Sequence, residues 1–201
     1  MKHALASLLV CTVLPVVLSA GGCGGHTPVL RTYTDRVGRF SVTYDNSKLK
    51  QSLVAPVTNG LTFAFVSHGP TYQGTAFGVS FIDRDSKDIR GDTPGQLSVT
   101  VLHASRTIVP PSLVALRRAA KLFFIGKFYV VDSSATRTVL PVTVNGLSGY
   151  TITTSWSTGK ATVYLLFRGK WMYFLNTAAT ANSWPGMAGT FETAARSFRA
   201  L

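Results

Sequence analysis

Apolar residues return at every second position in one segment of this chain after another, and that period of two commits most of it to β-structure. In residues 38–44, Phe40, Val42 and Tyr44 alternate with Arg39, Ser41 and Thr43. Successive strand side chains point to opposite faces, so the pattern predicts a half-buried strand, closed by Asp45-Asn46-Ser47. Residues 61–67 repeat it with Leu61, Phe63 and Phe65, and residues 75–83 with Phe77, Val79 and Phe81. Residues 96–103 make a fourth strand. Two more, 137–145 and 147–157, meet at Val144-Asn145-Gly146-Leu147. Asn-Gly is a strong signal for a tight hairpin because both residues tolerate positive φ. A further hairpin, 160–168 with 170–177, turns at Gly169.

The period changes in two places. Ser112 precedes Leu113, Leu116, Ala120 and Phe123/Phe124, which recur at helical spacing, and Ser112 is placed to cap that helix. In residues 187–201, Phe191, Ala194, Ala195, Phe198 and Leu201 line one stripe, predicting an amphipathic helix that closes the domain. Strands in succession with two helices predict an α+β fold built on an antiparallel sheet. With 46% hydrophobic and 14% charged residues in 201, the chain has apolar material for one core, expected over residues 31–201.

The N-terminus reads as an address. Met1-Lys2-His3 is a short positive start, and residues 4–17 are uncharged and largely apolar. Fourteen helical residues reach only about 21 Å, less than the roughly 30 Å hydrocarbon core of a bilayer. Small residues follow in Leu18-Ser19-Ala20-Gly21-Gly22-Cys23, the layout of a secretory leader and its cleavage region. The stretch resembles a bacterial lipobox, with Ala20 where that motif usually has Leu. Residues 1–22 are then the leader, Cys23 the lipidation site, and residues 23–30 a short Gly-rich tether. The alternatives are ordinary secretion with Cys23 as a free thiol and an uncleaved anchor. Cysteine usage favours lipid: Cys11 lies inside the leader, so a processed chain holds one thiol at its first position and no disulfide-linked oligomer is expected.

No motif for catalysis stands out. His26, His68 and His103 lack metal-ligand spacing, and Gly146-Leu147-Ser148-Gly149-Tyr150 lacks the final Gly of a nucleophile elbow. No phosphate-binding Gly loop occurs. Asp83, Asp85, Asp88 and Asp92 crowd ten residues, but Lys87 and Pro94 stand where an EF-hand needs ligands, and Arg84, Lys87 and Arg90 neutralise the cluster. A solvated connection is expected there, and no metal or cofactor. Lys and Arg outnumber Asp and Glu 20 to 8, a net +12 that bears on partners and not on fold. The densest basic stretch is Arg117, Arg118 and Lys121, with Lys127 nearby. It reads as a solvated helix face or as a contact for an anionic envelope surface or acidic partner. Nucleic acid is not an expected partner of an exported chain. Trp156, Trp171, Tyr173, Phe174 and Trp184 are read as core, with an apolar groove between sheet and helix as the alternative.

The strand GRFSVTYD, the hairpin VNGLSGYTITTSW, the aromatic strand GKWMYFLNTAAT and the terminal TFETAARSFRAL occur in an order similar to that of the PsbP-like family, including its actinobacterial lipoprotein members. The resemblance spans residues 31–201. It implies an antiparallel sheet flanked by helices, an α/β/α sandwich, and the accessory or binding roles of that family. The expected function is a lipid-anchored extracytoplasmic binding or accessory protein of the cell envelope, held at the cell membrane and without catalysis of its own. A carrier of a small apolar or lipid ligand is the alternative, and an envelope hydrolase a weaker one.

Overall fold

The computed structural model describes residues 27–64, 69–84, 95–119 and 135–201. Among these residues, ten strands and two helices follow in the order β1 (Leu30–Asp35), β2 (Phe40–Asp45), β3 (Leu49–Ala64), β4 (Thr71–Asp83), β5 (Gly95–Ala104), α1 (Leu113–Ala119), β6 (Thr136–Val144), β7 (Leu147–Trp156), β8 (Gly159–Arg168), β9 (Trp171–Thr180), α2 (Trp184–Ser197) and β10 (Arg199–Ala200). They form a seven-stranded sheet, β3-β4-β5-β9-β8-β7-β6, and a three-stranded sheet, β1-β2-β10, with every pair antiparallel. The large sheet is two meanders, β3 to β5 and β6 to β9, joined in its middle where β5 pairs with β9. Short turns explain the meanders. Asn145 and Gly146 have φ of 47° and 81°, and Gly169 has 59°. These left-handed values match the twist that a two-residue hairpin needs.

The alternation seen in the sequence sorts side chains onto the two faces. On one face, Phe77, Val79 and Phe81 of β4 stand beside Val101, Val99 and Leu97 of β5 in register. Leu175 of β9 and Leu166 of β8 extend this surface. It is covered by Phe40 and Val42 of the small sheet and by Met187, Phe191, Ala194 and Ala195 of α2. Each such large side chain, fully buried, contributes roughly 1.5–3 kcal/mol relative to exposure. On the opposite face Ile152, Val163, Leu165 and Met172 gather beneath Leu116 of α1 and Ile108. Among the described residues, helices flank the large sheet in two places. A second sheet supplies much of the cover on one face, so the antiparallel core matches the expected sandwich and its helical layers match in part.

Besides β4 beginning at Thr71 and β9 running to Thr180, three elements differ from the sequence reading. β1 was not foreseen: its residues are mostly exposed, and an edge strand without a buried face leaves no period. β3 begins at Leu49 instead of residue 61, for the same reason, and its pairing with β4 is interrupted by bulges between Ala55 and Thr58. The terminal helix starts earlier, at Trp184 with Pro185 in its first turn, and stops at Ser197 instead of running to Leu201. Phe198 turns extended, with φ −58° and ψ 131°, and Arg199 and Ala200 pair with Ser41 and Phe40. Phe198 remains fully buried, stacked on Phe40 at 5.8 Å. Its place in the stripe reflected burial and not helical backbone. Among the described residues no helix is long and apolar enough to cross a membrane.

Candidate functional site

The basic stretch singled out in the sequence falls on α1. Ser112 caps it as expected, its Oγ accepting the Ala115 N–H at 3.2 Å. Arg117 and Arg118 occupy the last turn, where positive charge complements the helix dipole. Both are exposed, but they are not equivalent. Arg117 donates one N–H from Nη2 to the Val139 carbonyl at 3.4 Å, at the outer edge of β6. Arg118 makes no such contact among the described residues. Lys121 and Lys127 lie outside the described residues, as do Cys23, His26, His68 and the acids Asp85, Asp88 and Asp92.

Arg117 is one of two features that blunt the β6 edge. Val144 and Leu147 close the type I′ hairpin, so alternate residues back along β6 turn their backbone groups outward, Val139 and Pro141 among them. Proline has no N–H to offer a further strand, which is where edge prolines belong. The edge is hollowed on both sides. One cavity of about 480 Å³ is lined by Pro110, Pro141, Tyr150 and Phe167, with the Tyr150 O–H donating to the Pro111 carbonyl at 2.7 Å. The other, about 420 Å³, lies beside α2 between Val142, Tyr164, Glu192 and Arg196. Burial pushes the Tyr164 phenol up, Glu192 adds to the rise, and Arg196 opposes it. Glu192 and Arg196 pair at 2.5 Å across one helical turn, an exposed contact of little energetic weight. Both hollows open to solvent.

The five aromatics do not meet in one pocket. Trp156 packs on Ala161 and Ala178 in a small cluster. Trp184 tilts against Phe191 at 5.6 Å, with the Lys160 ammonium 4.9 Å over its ring. Phe174 faces the α1 side of the sheet. Tyr173 is buried and meets Phe198 edge-on at 5.4 Å. Trp171 stacks on His103 at 4.1 Å, and the Arg39 guanidinium lies 5.9 Å from its centroid. No local pattern points to this last group, whose members are brought together by strand pairing.

Ser148 lines the first hollow, and among the described residues no histidine or carboxylate hydrogen-bonds its hydroxyl. The described residues hold no group of three or more histidines, cysteines or acids placed to bind a metal. What the surface offers chemically is cations, aromatic rings and shallow apolar hollows.

No protein-family model matches this chain, and no curated protein matches it. Among solved structures it is similar to the solution structure of cyanobacterial PsbP (CyanoP) from Synechocystis sp. PCC 6803, with a TM-score of 0.53 and 16% identity over 90% of this chain and 99% of that one. A likeness at that identity speaks for the fold alone. The chain has a PsbP-like fold.

Proposed function

We propose that this chain is a lipid-anchored extracytoplasmic protein of the cell envelope, of the kind found among actinobacterial lipoproteins, which binds or assists a partner and performs no chemistry itself. One observation carries the reading: the small-residue stretch ending at Cys23 stands only a few residues ahead of β1, which begins at Leu30. A lipid on Cys23 ties the body to the bilayer through a short tether. The residue types support a binding role, since the described residues present exposed cations such as Arg39, Arg118 and Arg168. The lipid-carrier reading is supported by the 420 Å³ hollow beside α2. Its openness counts against it, because carriers enclose most of a ligand's surface.

Replacing Cys23 by Ser tests the anchor. The Cys23→Ser chain should move from the membrane fraction to the soluble fraction of the expressing cells. Unchanged partition would remove the anchor from the account.

A further inference from the structure

Strand β2 separates two ends of the body. Leu30, where the chain enters, pairs with Asp45 at one end of β2, and the 36–39 turn lies at the other. Six residues at about 3.3 Å each put these ends about 20 Å apart. At the turn end, side chains from separate segments converge. Arg39 reaches over Trp171, which stacks on His103. Arg168 stands opposite Trp171 across the Gly169-Lys170 turn and donates from Nη1 to the Ala200 carbonyl at 3.0 Å. Lys170 sits in that turn, its carbonyl accepting the Ala104 N–H at 2.8 Å. Arg39, Arg168 and Lys170 are exposed. Among the described residues, none of the three is in an ion pair.

The backbone holds this group in place. Arg39 has φ 53°, a left-handed conformation that arginine rarely takes. Its carbonyl accepts the Leu201 N–H at 2.7 Å and the Tyr173 O–H at 3.4 Å, so the guanidinium is presented from a fixed root. Burial raises the Tyr173 phenol, while the positive charges of Arg168 and Arg39 pull it back.

We propose that this end of the body binds a linear, phosphate-bearing polyanion of the cell envelope, with Arg39 and Arg168 as its contacts and Lys170 beside them. Guanidinium forks match phosphate oxygens in pairs. The cations are spread over an open surface and not around a cavity, so a single small anion gains little, whereas a chain of charges meets several at once. Position selects the polymer over the bilayer. From Cys23 to Leu30 the chain spans at most about 25 Å, so the turn end reaches the anchoring bilayer only with the tether drawn almost taut along the body. This directional step rests on the anchored reading; the binding itself does not.

The test uses the full lipidated chain in phosphatidylcholine vesicles with inorganic polyphosphate as the probe, read by tryptophan fluorescence. Binding should weaken with salt, and the Trp171→Phe chain should bind with most of the signal gone. The Arg39→Asn, Arg168→Gln double variant should bind about tenfold more weakly at ~0.1 M salt. Asn suits the left-handed position, and an unchanged melting temperature checks the fold. The Arg39→Lys, Arg168→Lys variant keeps the charges and should retain salt-dependent binding. Arg117→Gln with Arg118→Gln, on α1, should change binding less than about twofold. Absence of binding, equal loss in the α1 variant, or no loss in the Arg39/Arg168 variant overturns the proposal. Val37 and Val109, 63% and 65% exposed, lie at the same end, so phosphatidylglycerol vesicles form a second arm with the Cys23→Ser chain. Binding there that needs Arg39 and Arg168, without polyphosphate binding, assigns the surface to a bilayer and overturns the polymer. A chain that proves unlipidated but binds polyphosphate through these arginines loses only the direction in which the surface faces.

Discussion

Tyr33 donates its phenol proton to Asp35 Oδ2 at 3.0 Å, while Asp35 Oδ1 accepts the Gly38 N–H at 2.6 Å and so fixes the turn that carries Arg39. Burial first, then the hydrogen bond and the negative charge of Asp35, push the Tyr33 pKa up from 10.0 to about 12. The sign follows from linkage. Above the ordinary tyrosine range the unfolded chain loses this proton first, so the native state's advantage is whole below pH 10.0 and drains away toward about pH 12. Tyr173 and Tyr164 are displaced the same way and add to the loss. Urea unfolding across this window should show stability falling with pH, and the fall should be shallower in Tyr33→Phe than in the parent chain. Equal slopes would mean that Tyr33 is solvated and that Asp35 does not hold it.

Asn145 joins two elements that are distant in sequence. It supplies the first left-handed residue of the β6–β7 hairpin, and its Nδ2 donates to the Arg196 and Phe198 carbonyls, each at 2.8 Å, at the end of α2. Asn145→Ala should therefore cost about 2–3 kcal/mol, from left-handed strain on a Cβ and the lost caps. Amide exchange in the last turn of α2 should rise with it; a cost below about 1 kcal/mol with unchanged exchange would contradict the coupling. The hairpin itself was legible because Asn-Gly names its own backbone, and β2 and β4 were legible because Phe40, Val42, Phe77 and Val79 each bury one face. The α2 cap was not, since its donor is contributed by a turn 51 residues away from Arg196. The end of α2 was misread because Phe198 is buried whether the backbone coils or extends. β1 and the first half of β3 carry too little buried surface to leave a period. The Arg39, Arg168 and Lys170 group escaped a search for local basic runs, which found Arg117 and Arg118 instead, because only the sheet register brings its members together.

At the scale of the whole molecule the fold is polar in its layout. The chain enters beside Asp45, and at the far end of the same strand Arg39 lies over Trp171 with Arg168 as that residue's cross-strand neighbour. With the near end tied to an anionic bilayer, as proposed, the attraction of cations for that bilayer falls off within about 10 Å at ordinary salt, and cations at the far end would act mainly on what lies beyond the membrane. This arrangement has a consequence for function only if the near end is tied down. Intact mass and peptide mass spectrometry of the native protein, taken from the membrane of the cells that make it, measures that directly. The account predicts a polypeptide beginning at Cys23 with a diacylglyceryl group on its sulfur; a chain beginning elsewhere, or a bare thiol at that position, contradicts it.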